Sequence, residues 1–272
     1  MPGRGNCVSI QFVNRPYEAA RMKVLAIDCA ANLCAACVYD AGAGKELGRE
    51  VRDLGKGHAE HLMAVIETAL QAGGIGYPDL DAVAVSIGPG SFTGLRVGVS
   101  TARGLALALK IPAIGVTTLE ALAAEAAGTF PGRAVLAALD AGREEIHAAL
   151  YDKTLVETYG PSVTTLSEAT TMAIGADAVL VGTAAPQIAM AAGRAFDTGP
   201  VAATADIAIY ARLTSAREPG EKPKPLYLRG ADAKPQAGFI LPRQDNSPKG
   251  DHDPKKWDPV FAKDHGPKGK DS

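Results

Sequence analysis

The residues best placed by type and spacing to do chemistry are Gly88-Pro-Gly-Ser-Phe-Thr-Gly94, between an apolar strand-like run and a helical one. A strand, a glycine-rich turn and a helix N-terminus can cradle a phosphate, because the first N–H groups of a helix lack intrahelical partners. The details argue against it here. A P-loop ends in Lys-Ser or Lys-Thr, which is missing, and Gly88, Gly90 and Gly94 lack the spacing of a dinucleotide-binding turn. Ser91 or Thr93 as a helix N-cap is the simpler role. Gly90, Gly94, Gly98, Ala102 and Ala106 recur every fourth residue and form a small-residue stripe on one helix face. Glycine costs a helix roughly 1 kcal/mol relative to alanine, so the stripe implies a close approach to the backbone. The neighbour is either the chain's own core or a helix of another protein, and composition does not separate the two.

Other candidate groups are weaker. His58 and His61, at i and i+3 on an expected helix, could begin a metal site, but no third ligand stands nearby; they read as a solvated or capping pair. His147 falls mid-strand and reads as packed. Cys34-Ala-Ala-Cys37 has a redox or zinc spacing, but no second pair follows and the setting is a strand, so the cysteines read as small buried apolar residues. No Ser-His-Asp arrangement can be read from spacing.

The elements that must position these residues follow from patterning. The chain has 272 residues, 47% hydrophobic but only 5% aromatic, so the core is expected to be built from Ala, Val, Leu and Ile. A net charge of −2 gives no electrostatic argument for nucleic acid or anionic membrane. No apolar run has membrane-spanning length and the first 21 residues lack a signal-peptide core, so a cytoplasmic protein is expected. Val24-Leu-Ala-Ile-Asp28 and Val135-Leu-Ala-Ala-Leu-Asp140 are near-duplicates. Each is followed by a second strand ending in aspartate, at Asp40 and Asp152, with equal spacing. This internal repeat implies two similar domains. The first half reads β-β-β-α-β-α-β-α, with helices over 58–72 and to about Leu109. The second half repeats it loosely, ending in a helix near 203–216. The order resembles the duplicated ribonuclease H-like, two-lobed architecture of actin, Hsp70 and sugar kinases (the ASKHA class). The expected division is a leader over 1–21, disordered or lying before a true start at Met22; an N-terminal lobe over 22–118; a C-terminal lobe over 119–231; and a disordered Pro-, Lys- and Asp-rich tail over 232–272.

In that architecture a carboxylate ending the first strand commonly contacts phosphate or a metal-bound water, with a glycine two residues on. Asp28 has Ala30 there, which weakens nucleotide hydrolysis; Asp140, followed by Ala141-Gly142, is nearer the pattern. Asp28, Gly88, Gly90, Ser91 and Asp140 are thus the candidates for a vestigial nucleotide site.

The run from Ala84 to Val99 through Gly-Pro-Gly-Ser-Phe-Thr-Gly, with Gly115-Val-Thr-Thr-Leu-Glu-Ala-Leu122, resembles the bacterial TsaB family, also called YeaZ. The likeness extends to Leu25–Asp28, Leu136–Asp140 and Pro225-Leu-Tyr-Leu-Arg229, covering about residues 22–231. The resemblance implies a partner, the catalytic paralogue TsaD, and the ATPase TsaE. That assembly transfers threonylcarbamoyl from its adenylate to N6 of the anticodon-adjacent adenosine of ANN-decoding tRNAs. TsaD carries a metal-binding His-Leu-Glu-Gly-His motif where this chain has Thr118-Leu-Glu-Ala-Leu122, so both histidines are replaced. The implication is a non-catalytic subunit with no cofactor requirement, with weak or interfacial ATP/ADP the residual nucleotide role. The implied heterodimer face is built from the two helices carrying His58, His61, Leu62, Gly94, Arg96, Val97, Gly98, Ala102 and Arg103. Two other readings compete: a stand-alone ASKHA-type ATPase or metallopeptidase-like enzyme, and a homodimer through the same helices.

Overall fold

The computed structural model describes residues 22–228; the leader and the 232–272 tail lie outside them. The first sheet begins as an antiparallel meander, β1 (Lys23–Asp28), β2 (Leu33–Asp40) and β3 (Lys45–Asp53). β4 (Ala82–Gly88) and β5 (Ala113–Thr117) add in parallel on the other side of β1, giving the order β3-β2-β1-β4-β5. The crossovers are α1 (His58–Ala72), before β4, and α2 (Phe92–Leu109), between β4 and β5. The second sheet repeats the plan with β6 (Val135–Asp140), β7 (Glu145–Tyr151), β8 (Glu157–Thr165) and β9 (Val179–Val181) in the order β8-β7-β6-β9. The remaining helices are α3 (Thr118–Thr129), α4 (Leu166–Ala176), α5 (Ala185–Ala192) and α6 (Ile207–Ser215). This is the duplicated two-lobed α/β class that the sequence pattern implies.

Strand alternation builds the layers. Leu25, Ile27, Val83 and Val85 point to one face of the first sheet and pack under α1 and α2 with Leu62, Ile66 and Val99. Val24, Ala26, Ala82 and Ala84 point to the other. They share one core with Val135, Ala137 and Val181 of the second sheet, with α3 and α6 between. Leu136, Ala138, Ile146 and Leu180 take the outer face of the second sheet under α4 and α5. The chain is therefore five layers, helix–sheet–helix–sheet–helix, with Ala-rich strands letting the central helices lie close to both sheets. Each fully buried Val, Leu or Ile contributes about 1.5–3 kcal/mol.

Two sequence expectations change. The repeat slips by one residue in its second strand: Lys23 pairs with Asp40, but Val135 pairs with Tyr151, so Asp152 falls past the strand end. There its carboxylate accepts from the Thr154 N–H at 2.7 Å and hydroxyl at 2.7 Å, closing a turn. In addition α6, placed by the sequence in the second half, packs on β1, β2, β4 and β5 of the first sheet. It begins at Ile207 because Asp206 caps it, its Oδ1 accepting from the Ala208 N–H at 2.9 Å. Arg49 of β3 grips the same carboxylate at 2.6 and 2.8 Å, and Glu125 of α3 accepts from the Asp206 N–H at 3.0 Å.

Candidate functional site

The glycine-rich turn is fitted to its own chain. Ser91 is the N-cap of α2, its Oγ accepting from the Gly94 N–H at 3.3 Å, and its N–H donates to the Ala30 carbonyl at 2.6 Å. A Cβ at Gly90 would collide with the Ala30 carbonyl, and one at Gly94 with the Cys29 carbonyl. Gly88 has φ 103°, a left-handed conformation that glycine adopts freely. The loop leaving β1 thus lies where an anion would sit, and its carbonyl oxygens turn partial negative charge toward the first turn of α2. Gly90 and Ser91 seat that loop, while Gly88 packs against Leu95 and the Leu226 carbonyl, so the chain's own atoms fill the turn where a nucleotide role was expected.

Asp28 is likewise enclosed. Its side chain is 1% exposed and its Oδ1 accepts from the Ala30 N–H at 2.8 Å. Burial pushes the carboxyl above its ordinary value, opposed by the Ala30 hydrogen bond, by the nearby Thr204 and Ser86 hydroxyls and by His58. Tyr210 of α6, fully buried, brings its hydroxyl against Ser86 and Thr118 without reaching hydrogen-bond geometry. Ser86 and Thr118 face each other at 3.3 Å. The position at the end of β1 that could meet a nucleotide is filled by Thr204 and Tyr210, which sequence reasoning missed because they lie far along the chain. Asp140, its repeat counterpart, is exposed at a hairpin end, where its Oδ1 accepts from the Gly142 N–H at 2.7 Å. The two aspartates therefore stand in different environments: one sealed in the core, the other on the surface.

The small-residue stripe faces inward. Gly94, Gly98, Ala102 and Ala106 are buried, with Gly98 against Val85 and Cys29 of the first sheet. Leu62 is buried in the core, and His58 is buried with its Nε2 at 3.3 Å from the Leu33 carbonyl. Gly94, Gly98, Ala102, His58 and Leu62 therefore cannot line a docking surface; their small or apolar character serves packing within the lobe. His61 is exposed, so the two histidines do not converge on one site. Arg96 and Arg103 are exposed and Val97 half-buried. The outward row of α2 is a second stripe at the same period, Arg96, Ser100, Gly104 and Ala108, all exposed, with open space around Gly104. Beside it stands Leu107, 78% exposed, and on α1 Met63, 47% exposed, with Ala59, Ala64 and Glu67. At the start of α2 the Arg96 guanidinium lies 3.8 Å from the centre of the half-exposed Phe92 ring. Its Nε donates to the Tyr227 hydroxyl at 2.9 Å, and the Phe92 and Tyr227 rings lie 5.0 Å apart. The every-fourth-residue signal at 100, 104 and 108 was present in the sequence; what it lacked was the direction of the sheet.

Residues 52–214, more than half of the chain, match the family model described as "TsaD: tRNA N6-adenosine threonylcarbamoyltransferase". The tRNA threonylcarbamoyladenosine biosynthesis protein TsaB of Escherichia coli K12 is 34% identical over 132 residues, 48% of this chain and 56% of that protein. The chain belongs to this family, in its TsaB (YeaZ) branch. It spans little more than half the length of that named relative, but 95% of an uncharacterized Mycobacterium tuberculosis H37Rv protein, which is 33% identical over 214 residues, 79% of this chain. The fold is that of a solved Pseudomonas aeruginosa protein similar to peptidase YeaZ, at TM-score 0.67 and 24% identity, covering 76% of this chain and 100% of the other. Measured against TsaD's histidine motif, the TsaB-type replacements do not fit a metal. Leu122 is fully buried among apolar neighbours and offers no ligand, and the Thr118 hydroxyl faces Ser86 inside the core.

Proposed function

We propose that this chain is a non-catalytic subunit in tRNA threonylcarbamoyladenosine biosynthesis, acting by docking a TsaD-type partner on the outer face of α1 and α2. The observation that carries this reading is the exposed face itself: Met63 and Leu107 flank a row of Ser100, Gly104 and Ala108 small enough for a second helix to approach the backbone. Arg96 and Arg103 edge it with charge. The closed environment of Asp28 and the loss of metal-ligating side chains at 118 and 122 support a role without chemistry, nucleotide or metal of its own. Transfer of threonylcarbamoyl from its adenylate to tRNA, and any turnover by a TsaE-type ATPase, then belong to other subunits. Near-neutral charge agrees with tRNA affinity residing elsewhere.

Mixing the chain with a TsaD-type protein and measuring mass by light scattering tests this reading. A one-to-one complex is expected, and Gly104→Trp should abolish it while thermal unfolding of the chain stays unchanged. Retained binding by that variant would move the interface elsewhere. Modification of tRNA by the purified chain alone would overturn the non-catalytic reading. Self-association through the same face predicts a dimer in the chain alone that the partner dissolves.

A further inference from the structure

The Cys34-Ala-Ala-Cys37 spacing pairs two residues that the fold separates. Three positions apart in β2, they point to opposite faces of the sheet: Cys34 packs under α1 and α2, and Cys37 packs in the central layer. What the fold brings to Cys34 is Cys29. Asp28 pairs with Ala35 as the last pair of the ladder, and one step beyond it, at the mouth of the β1–β2 hairpin, stand Cys29 and Cys34. They share one buried layer on the same face of the sheet. Arg52 lies across β3 from Cys34. The neighbouring Cys29 thiol, aided by the Arg52 charge, holds the Cys34 thiol below its ordinary value. Both sulfurs are buried, but the connection between them, at Asn32 and Leu33, is exposed.

We propose that Cys29 and Cys34 form a reversible dithiol–disulfide site that exchanges with low-molecular-weight disulfides. The Cys34 thiolate attacks one sulfur of the small disulfide, releasing one thiol and leaving a mixed disulfide. The Cys29 thiolate then attacks the Cys34 sulfur and releases the second thiol. Two electrons and two protons pass from the protein to the small disulfide, and one S–S bond replaces another. Opposition across an antiparallel pair supplies the Cβ proximity that a disulfide requires.

The segment between the sulfurs seats both docking helices. The Ala30 carbonyl holds the Ser91 N–H, the Cys29 carbonyl lies against Gly94, and the Leu33 carbonyl faces His58. Closing the disulfide redraws that segment and weakens partner docking; this consequence, unlike the disulfide itself, rests on the reading of α1 and α2 as the docking face.

The test uses the full chain carrying Cys7→Ser, equilibrated under native conditions with glutathione disulfide. The remaining thiols are then alkylated on unfolding and the peptides mapped by mass. A Cys29–Cys34 link, a loss of two hydrogens from the intact mass and an alkylated Cys37 are expected. Cys29 and Cys34 recovered unlinked, or a link through Cys37, would overturn the proposal. Weaker partner binding by the oxidised chain, restored by reductant and absent in Cys29→Ser/Cys34→Ser, supports the coupling. A formed disulfide with unchanged binding leaves the site standing and overturns the coupling.

Discussion

Asp28 is a carboxyl group held away from water by residues from the far end of the chain. Burial raises its pKa in the folded protein above its ordinary value, so the native state binds this proton more tightly than the unfolded chain does. The stability it contributes is therefore full below the unfolded value and is lost as pH rises through the raised folded value. Asp28→Asn keeps an oxygen to accept from the Ala30 N–H and removes the titration. Urea midpoints followed from about pH 4 to pH 8 should decline less in the variant than in the parent, and the variant should be the more stable at neutral pH. A steeper decline would mean that the ionised group is stabilised after all. The sequence made Asp28 legible as a strand-ending carboxylate, and Ala30 argued against hydrolysis. That Thr204 and Tyr210 close over it was not legible, because contacts between distant segments leave no periodic trace.

The lesson at the scale of elements is carried by α2. Its boundaries could be read from apolar spacing and the Ser91 cap, and α1 spans His58–Ala72 as its periodicity implied. Two small-residue rows run along it, and which one faces out depends on where β1 delivers Cys29 and Ala30. The inward row makes contrasting predictions. Gly94→Ala places a methyl on the Cys29 carbonyl and should cost at least about 1–3 kcal/mol in urea unfolding. At Gly98 the nearest atom to an added methyl is 3.6 Å away, an ordinary contact, so Gly98→Ala should be neutral or gain up to about 1 kcal/mol from helix propensity. Gly98→Trp should unfold the lobe rather than report on docking. A stable Gly94→Ala would show that the loop leaving β1 yields easily, and would remove the steric account of this glycine.

At the scale of the whole molecule, α6 decides how the two halves cohere. It lies on the first sheet although it follows the second in the chain, and Asp206 joins its N-terminus to Arg49 of β3 and, through its N–H, to Glu125 of α3. Asp206→Ala removes the cap and the Arg49 pairing together and should lower stability by about 1–2 kcal/mol. The part due to the half-exposed ion pair should shrink at high salt, and a loss independent of salt would assign the effect to the cap alone. Local chemistry in the sequence settled the strands, most helix limits, the internal repeat and the missing P-loop lysine. Each depends on residue type and near-neighbour spacing, which one chain displays directly. Only the tertiary structure decided that the glycine stripe is buried, that a second row is exposed, that Cys29 and not Cys37 meets Cys34, and that α6 covers Asp28. Those outcomes depend on which face of each element meets the next layer, and facing is fixed by packing across the whole chain rather than by the period of any one segment.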